Sequence, residues 1–243
     1  MSFKRTFATM LRVLKQLRHD HRTLALILFV PSILLIILSY VFEQNSRVFD
    51  GIAPLILGII PFTLMFIVTS VAVLRERTSG TLERLLISPA SRLDILFGYA
   101  GAFALLAFLQ ASIASFFTIV VFNVPIAGST VSLLTIAVLA GMLGMSLGLF
   151  FSAYAKNEFQ AVQFMPAFVL PQFLTCGLFT PRDDMASFLR YFSDVMPITY
   201  VVEAMKEIKT HTAWTGNLSF DVAVIVGFVM VALILGAYSL KPR

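Results

Sequence analysis

The sequence predicts an all-α polytopic membrane protein, and three observations carry that expectation. Apolar residues make up 58% of the 243-residue chain, charged residues only 13%, and mean hydropathy is +0.90. A soluble domain of this size cannot hide so much apolar surface, because most of its residues would still lie near the outside. The apolar residues also fall in long continuous blocks, without the alternation that strands of a membrane β-barrel require.

A helix crossing a hydrocarbon layer ~30 Å thick needs roughly 20 apolar residues. Six blocks serve: Leu24–Phe42, Ile52–Leu74, Ile95–Phe122, Val131–Tyr154, Phe159–Phe179 and Val222–Leu240. Lys4, Arg5, Arg12, Lys15, Arg18 and Arg22 precede the first block, and Arg75, Arg77, Arg84 and Arg92 follow the second. Lys156 follows the fourth block, and Lys241 and Arg243 end the chain. The opposite side carries fewer cations: Arg47, Arg182, Arg190, Lys206 and Lys209. The positive-inside rule therefore sets both termini in the cytoplasm, which requires an even number of spans. The net charge of +5 follows from the same flanks and gives no reason to expect a nucleic-acid partner. The first block starts at Leu24, is long enough to span and lacks a small-residue cleavage site, so no cleavable signal peptide is expected. Cys176, the single cysteine, excludes an internal disulfide and reads as an apolar filler.

Three segments lie outside the blocks. Residues 2–22 place Phe3, Phe7, Met10, Leu11, Leu14 and Leu17 at spacings of three and four, with cations largely elsewhere. This predicts an amphipathic helix lying on the membrane surface. In residues 75–94, Gly80 and Thr81 break from the second block. Leu82, Leu85 and Leu86 then mark a short helix that Ser88-Pro89 ends, and Ser91 with Asp94 forms a capping box for the third block. That helix would lie across the cytoplasmic mouth, with Arg75, Glu76, Arg77, Glu83 and Arg84 on or beside it. In Thr180–Asp221, Met185, Phe188, Leu189, Phe192 and Val195 mark one short amphipathic helix. Ile198, Val201, Val202, Met205 and Ile208 mark a second, with Pro197 between them. Both are too short to span and read as re-entrant or interfacial helices.

Within the blocks, Gly144 and Gly148 are spaced for close helix approach. Pro166 and Pro171 predict a kinked or partly unwound fifth span, and Gln160, Gln163 and Gln172 along it would avoid lipid. The fifth span therefore reads as facing a cavity or a partner subunit, and Phe62, Met65, Phe66 and Thr69, near Pro61 in the second span, are candidates for lining that cavity. No ionisable residue falls deep in any block, so no proton relay or coupling-ion charge is expected. His19, His21 and His211 are too scattered for a metal cluster, and neither a nucleophile–base constellation nor a phosphate-binding Gly-Lys motif occurs. The chain is not expected to be an enzyme. If it pumps, the energy comes from a partner.

Two stretches resemble a family. Residues 74–99, LRERTSGTLERLLISPASRLDILFGY, are similar to the "E(R)xxGTLExLLxxPxSRxxIxxGK" segment of ABC-2 type permeases. Residues 164–208, from FMPAFVLPQ to PITYVVEAMKEI, resemble that family's "P…LSGLFFP…P…PLTY…A(L/M)R" region. The likeness is to the membrane subunits of type V ABC exporters, in particular the bacterial drug-efflux branch. Tyr99 stands where lysine is frequent, and Thr175-Cys176-Gly177 replaces Leu-Ser-Gly.

The resemblance implies one transmembrane domain over residues 1–243, with an amphipathic helix at 1–23 and a six-span bundle at 24–240. It implies a second permease subunit, identical or related, above two copies of a nucleotide-binding ATPase subunit that would hold ATP and Mg. The chain itself would carry no cofactor. The coupling helix would bring Gly80, Thr81, Leu82, Glu83, Arg84, Leu85, Ser88 and Pro89, with Arg75–Arg77, against the ATPase. The second and fifth spans would line the route, adding Gln163, Phe164, Pro166, Phe168, Gln172 and Phe173 to the candidates above. Leu178, Phe179, Pro181 and Pro197 would form an external gate. The implied cargo is a hydrophobic or amphipathic small molecule. A lipid-linked glycan, sodium ions and a non-transporting scaffold are the alternatives.

Overall fold

The computed structural model describes residues 2–87 and 91–239, so the expected helix stop at Ser88-Pro89 and the terminal Lys241 and Arg243 lie outside the described residues. The side chains of Glu83, Leu86, Arg92 and Ser239 also lie outside them. All regular structure among the described residues is helical. The order is α1 (Phe3–His19), α2 (His21–Val41), α3 (Ser46–Thr78), α4 (Thr81–Ile87) and α5 (Arg92–Phe116), which runs on into a π-turn at Phe117–Val121. Then come α6 (Thr130–Ser152), α7 (Glu158–Thr175), a 3-10 turn (Arg182–Asp184), α8 (Ser187–Val195), α9 (Pro197–Thr210) and α10 (Gly216–Ser239).

Helix ends follow side-chain chemistry. The surface helix expected over residues 2–22 stops at His19, because Asp20 turns out to cap α2. Its carboxylate accepts from the Thr23 amide at 3.1 Å and the Thr23 hydroxyl at 2.6 Å. Those two bonds hold the Asp20 carboxyl below the usual carboxylate range. Asn157 starts α7 by accepting from the Gln160 amide at 2.8 Å. Thr215 starts α10, six residues before the expected Val222, by accepting from the Leu218 amide at 3.1 Å.

Among the described residues, five helices are long and apolar enough to cross a membrane: α2, α3, α5 with its π-turn, α6 and α10. α7 is not among them. It has 18 residues, begins at Glu158 and carries Gln160, Gln163 and Gln172. It ends at Thr175, short of the expected Phe179, and stays helical through Pro166 and Pro171, where a kink or partial unwinding was expected. Neighbouring helices make interior prolines tolerable in such bundles.

α3 and α6 form the centre. A Cβ on Gly144 would lie 2.0 Å from the Phe62 carbonyl oxygen, and one on Gly148 2.3 Å from that of Phe66. Two consecutive turns of α6 therefore meet the α3 backbone directly, so the Gly144/Gly148 pair serves packing within the chain. α2 and α10 lie outside this pair, with Leu26, Phe29, Ile33, Ile37, Met230 and Ile234 exposed as a lipid-facing wall would be. Gly98 lets α1 pack on α5, since a Cβ there would meet the Thr9 side chain at 2.5 Å. The buried face of α1 is Thr9, Val13 and Leu17, while Phe3, Phe7 and Leu11 form a separate exposed apolar edge.

Gly144→Ala forces Phe62 backbone to move and is expected to cost ~1–3 kcal/mol or more. Gly227→Ala, where an added Cβ meets nothing within 4 Å, should leave stability unchanged. Thermal melts of both variants in detergent check this contrast.

Candidate functional site

The site predicted from the sequence lies at the end of the bundle where α3 stops and α5 begins. Ser79 closes α3, and Gly80 takes φ +72, a left-handed backbone that favours glycine. The chain then turns directly into α4. Leu82 is buried beneath this short helix, Thr81 and Leu85 are half-buried, and Arg84 faces outward. On the far side, Ser91 Oγ accepts from the Asp94 amide at 3.1 Å and Asp94 Oδ2 accepts from the Ser91 amide at 3.0 Å. This is the expected capping box.

Asp94 does more than cap. Its Oδ1 also accepts from the Ser2 amide at 2.8 Å and from the Thr6 hydroxyl at 3.3 Å, fixing the start of α1 to the start of α5. One helical face further along, Glu76 is 4% exposed. Its Oε2 accepts from Arg12 Nη2 at 2.8 Å and from the Tyr99 hydroxyl, and Arg12 also donates to Tyr99 Oη at 2.8 Å. The three side chains come from α3, α1 and α5. A buried carboxylate needs such partners, because desolvating it alone costs several kcal/mol.

Three residues expected on the docking surface are therefore engaged inside the chain. Glu76 is enclosed by Arg12 and Tyr99. Arg77 Nη1 donates to the Ser152 carbonyl at 2.7 Å, closing the end of α6. Arg75 pairs bidentately with Glu158 at 2.7 and 2.9 Å, joining α3 to α7, although both side chains remain about half exposed. Of the expected contact residues with described side chains, Arg84 is the charged one that faces outward from α4. Ser88, Pro89 and the Glu83 side chain lie outside the described residues.

The proposed lining residues divide in two. Phe62, Met65, Phe66, Thr69 and Gln172 have no exposed surface within this chain, where they pack in its interior. Phe66 stacks on Phe168 at 6.4 Å, and Phe151 joins both and Phe164, at 5.5, 4.8 and 5.6 Å from Phe66, Phe168 and Phe164. This cluster fixes α3, α6 and α7 together, and Phe151 was invisible in the sequence. Gln172 spends its amide on structure: Nε2 donates to the Phe168 carbonyl at 3.0 Å, and Oε1 accepts from the Ile198 amide at 3.4 Å, at the start of α9. Phe164, Phe168 and Phe173 are half-buried, whereas Gln163 and Pro166 are exposed on the outer face of α7. No carboxylate was expected deep in a span, and the three that the long helices bury, Glu76, Asp94 and Asp221, lie near helix ends just outside the expected spans.

At the opposite end, Gly177 takes φ +83 and its carbonyl accepts from Lys206 Nζ at 2.6 Å. Arg182 bridges Asp194 of α8 and Glu203 of α9, and the Tyr200 hydroxyl donates to the Asp194 carbonyl at 2.7 Å. All five apolar positions expected on the second external helix are buried in α9, at 0 to 2% exposure. Of the four expected gate residues, Pro197 is buried, Leu178 half-buried, and Phe179 and Pro181 exposed.

Helices of spanning length with charged clusters confined to their ends define a multi-pass membrane protein. Residues 4–209 match the family model for the ABC-2 type transporter, and the chain belongs to that family. It is 29% identical over 166 residues to ABC transporter G family member 20 of Dictyostelium discoideum, covering 68% of this chain and 23% of that protein. It is 29% identical over 172 residues to the probable multidrug ABC transporter permease YbhR of Escherichia coli K12, covering 67% and 47%. YbhS of the same organism, described in the same words, is 26% identical over 170 residues, covering 70% and 44%. The chain spans less than half the length of these relatives.

The Arg12–Glu76–Tyr99 cluster predicts a strong coupling between α1 and α3. Glu76→Leu should lower stability by about 2 kcal/mol by leaving Arg12 and Tyr99 without their acceptor. The double variant Arg12→Met with Glu76→Leu should recover part of that loss. A double-mutant cycle from thermal melts measures it.

Proposed function

We propose that this chain is the membrane subunit of an ATP-driven exporter of hydrophobic or amphipathic small molecules, with α4 as the contact for a separate ATPase. The observation that carries this reading is the mounting of α4. A helix that presents Arg84 outward is joined by Gly80 to α3 and lies just before the capped start of α5, with its flanking ionic groups anchored internally. Such a helix can pass a push from a bound partner into two long helices as a rigid body. Membership in the ABC-2 type transporter family and the multidrug description of two relatives support the same reading.

In this reading α7 crosses as the sixth span. Its polar groups are tolerated because Gln172 is bonded inside the bundle and Gln163 faces a partner subunit. Basic flanks hold both termini and α4 in the cytoplasm of a cell membrane. Two such subunits, identical or related, stand above two ATPase subunits that bind ATP and Mg. The route then runs between subunits, along the outer face of α7 where Gln163, Pro166, Leu170 and Leu174 recur at helical spacing and are exposed. Phe179 and Pro181 would close its outer end.

Charge reversal at Arg84 places a like charge against a site that accepts a cation. Arg84→Glu should weaken co-purification of the ATPase by about tenfold, with the melting temperature of the membrane subunit unchanged. Binding that survives the reversal overturns the α4 contact. Stimulation of ATPase rate by candidate compounds in nanodiscs then reads out the cargo class.

A further inference from the structure

We propose that a polar cavity between α9 and α10 is a binding site for an organic cation bearing an ammonium group. It occupies about 430 Å3 and is lined by Glu203, Lys206, Glu207, Asn217, Phe220 and Asp221. It deepens the exporter reading by naming a ligand class, and rests on that reading only for its placement outside the cell.

Asp221 is 5% exposed and lines the cavity, yet among the described residues its carboxylate has no hydrogen bond and no ion pair. A desolvated carboxylate without a partner is costly, so a position that keeps one has a use for it. Helix α10 offers little help: it begins at Gly216, and Asp221 lies beyond the first turn, where the helix dipole acts.

The other charges sharpen the deficit. Glu203 and Glu207 both repel Asp221, and Arg182 offsets only part of that. Arg182 is itself engaged by Glu203 and Asp194, and Lys206 is turned to the Gly177 carbonyl. Glu207 accepts from the Thr215 hydroxyl at 2.7 Å. Lys206 keeps its charge on the neutral Gly177 carbonyl, but it is one ammonium among three carboxyl groups in the lining, so the cavity carries an excess of acidic groups.

The shape of the donor set selects the class of ligand. Among the described residues, no three His, Cys, Asp or Glu side chains stand close enough to hold a metal ion. Dispersed carboxylates suit a larger, diffuse charge. Phe220 adds an aromatic wall, 61% exposed, whose ring meets that of Tyr200 edge-on at 6.2 Å. An aromatic face beside carboxylates is the combination that attracts alkylammonium groups.

Choline is the probe, with its uncharged carbon isostere as control, titrated calorimetrically into the purified full chain in nanodiscs. Saturable binding of choline, and none of the isostere at the same concentrations, is expected. Asp221→Asn, nearly the same size, should weaken choline binding about tenfold or more. Phe220→Leu, at an exposed position, should weaken it severalfold and keeps the test open if Asp221→Asn does not fold. Equal binding of choline and isostere, or full binding by either folded variant, overturns the proposal. The measurement needs no ATPase, so its failure is distinct from failure of the exporter reading, which the Arg84→Glu co-purification tests.

Discussion

The direct contact of α3 with α6 is the constraint on which the rest of the fold depends. In lipid, apolar side chains gain little by leaving one another for the solvent, so helices hold together through dispersion and close fit. Gly144 and Gly148 bring two turns of α6 onto the Phe62 and Phe66 carbonyls, the closest approach available to two helices. Everything else is arranged around that seam. Phe66 is held in a ring cluster that seats α7, Gly58 faces Val201 and Met205 of α9, and α2 and α10 complete the outer wall.

Polar chemistry is pushed to the two ends, and there it sets helix order. At the α4 end, Asp94 and Glu76 receive donors from α1 as well as from α5, so the amphipathic helix is bound to the bundle by hydrogen bonds and by the Arg12 ion pair. A simple topology anchor would need only its cations and its apolar edge. At the other end, Arg182, Lys206 and Gln172 tie the descending chain of α7 to α8 and α9. Arg182 and Lys206 donate to two carboxylates and a backbone carbonyl, and Gln172 adds a longer contact from the Ile198 amide.

How much of this was legible in the sequence depends on range. Hydropathy alone marked the five long apolar helices, since their signal is summed over twenty residues. The Ser91–Asp94 capping box and the glycine spacing of α6 were legible because each is confined to one turn or two. The end of α1 was misread: Asp20 looks like one more polar residue on a helix until Thr23 shows it to be a cap. Contacts across long sequence separation were out of reach. Nothing within a few residues of Glu76 reveals Arg12, 64 positions away, or shows that Arg75 pairs with Glu158, 83 away. The same blindness hid the burial of Phe62, Met65 and Phe66 within the chain. Their helical face was identified, but what packs on that face was not. Asp221 escaped notice because hydropathy began the last span at Val222, leaving it nominally in a loop.

Internal commitment of Glu76 and Arg77 also bears on how a short helix could act over a distance. If these groups were free to meet a partner, motion of that partner could be absorbed by their side chains. Bound as they are, to α1, α5 and the end of α6, they make the α3 terminus stiff, and stiffness is what a lever needs. In the proposed reading, displacing α4 would move α3 with its α6 seam, since packed interfaces shift between discrete arrangements rather than deforming smoothly. α7 is coupled to the same unit at its start, through Arg75–Glu158, and near its middle, through the Phe66–Phe168 stack. Under the proposed reading, a push at α4 would pass through the Gly80 turn into α3 and from there to α7.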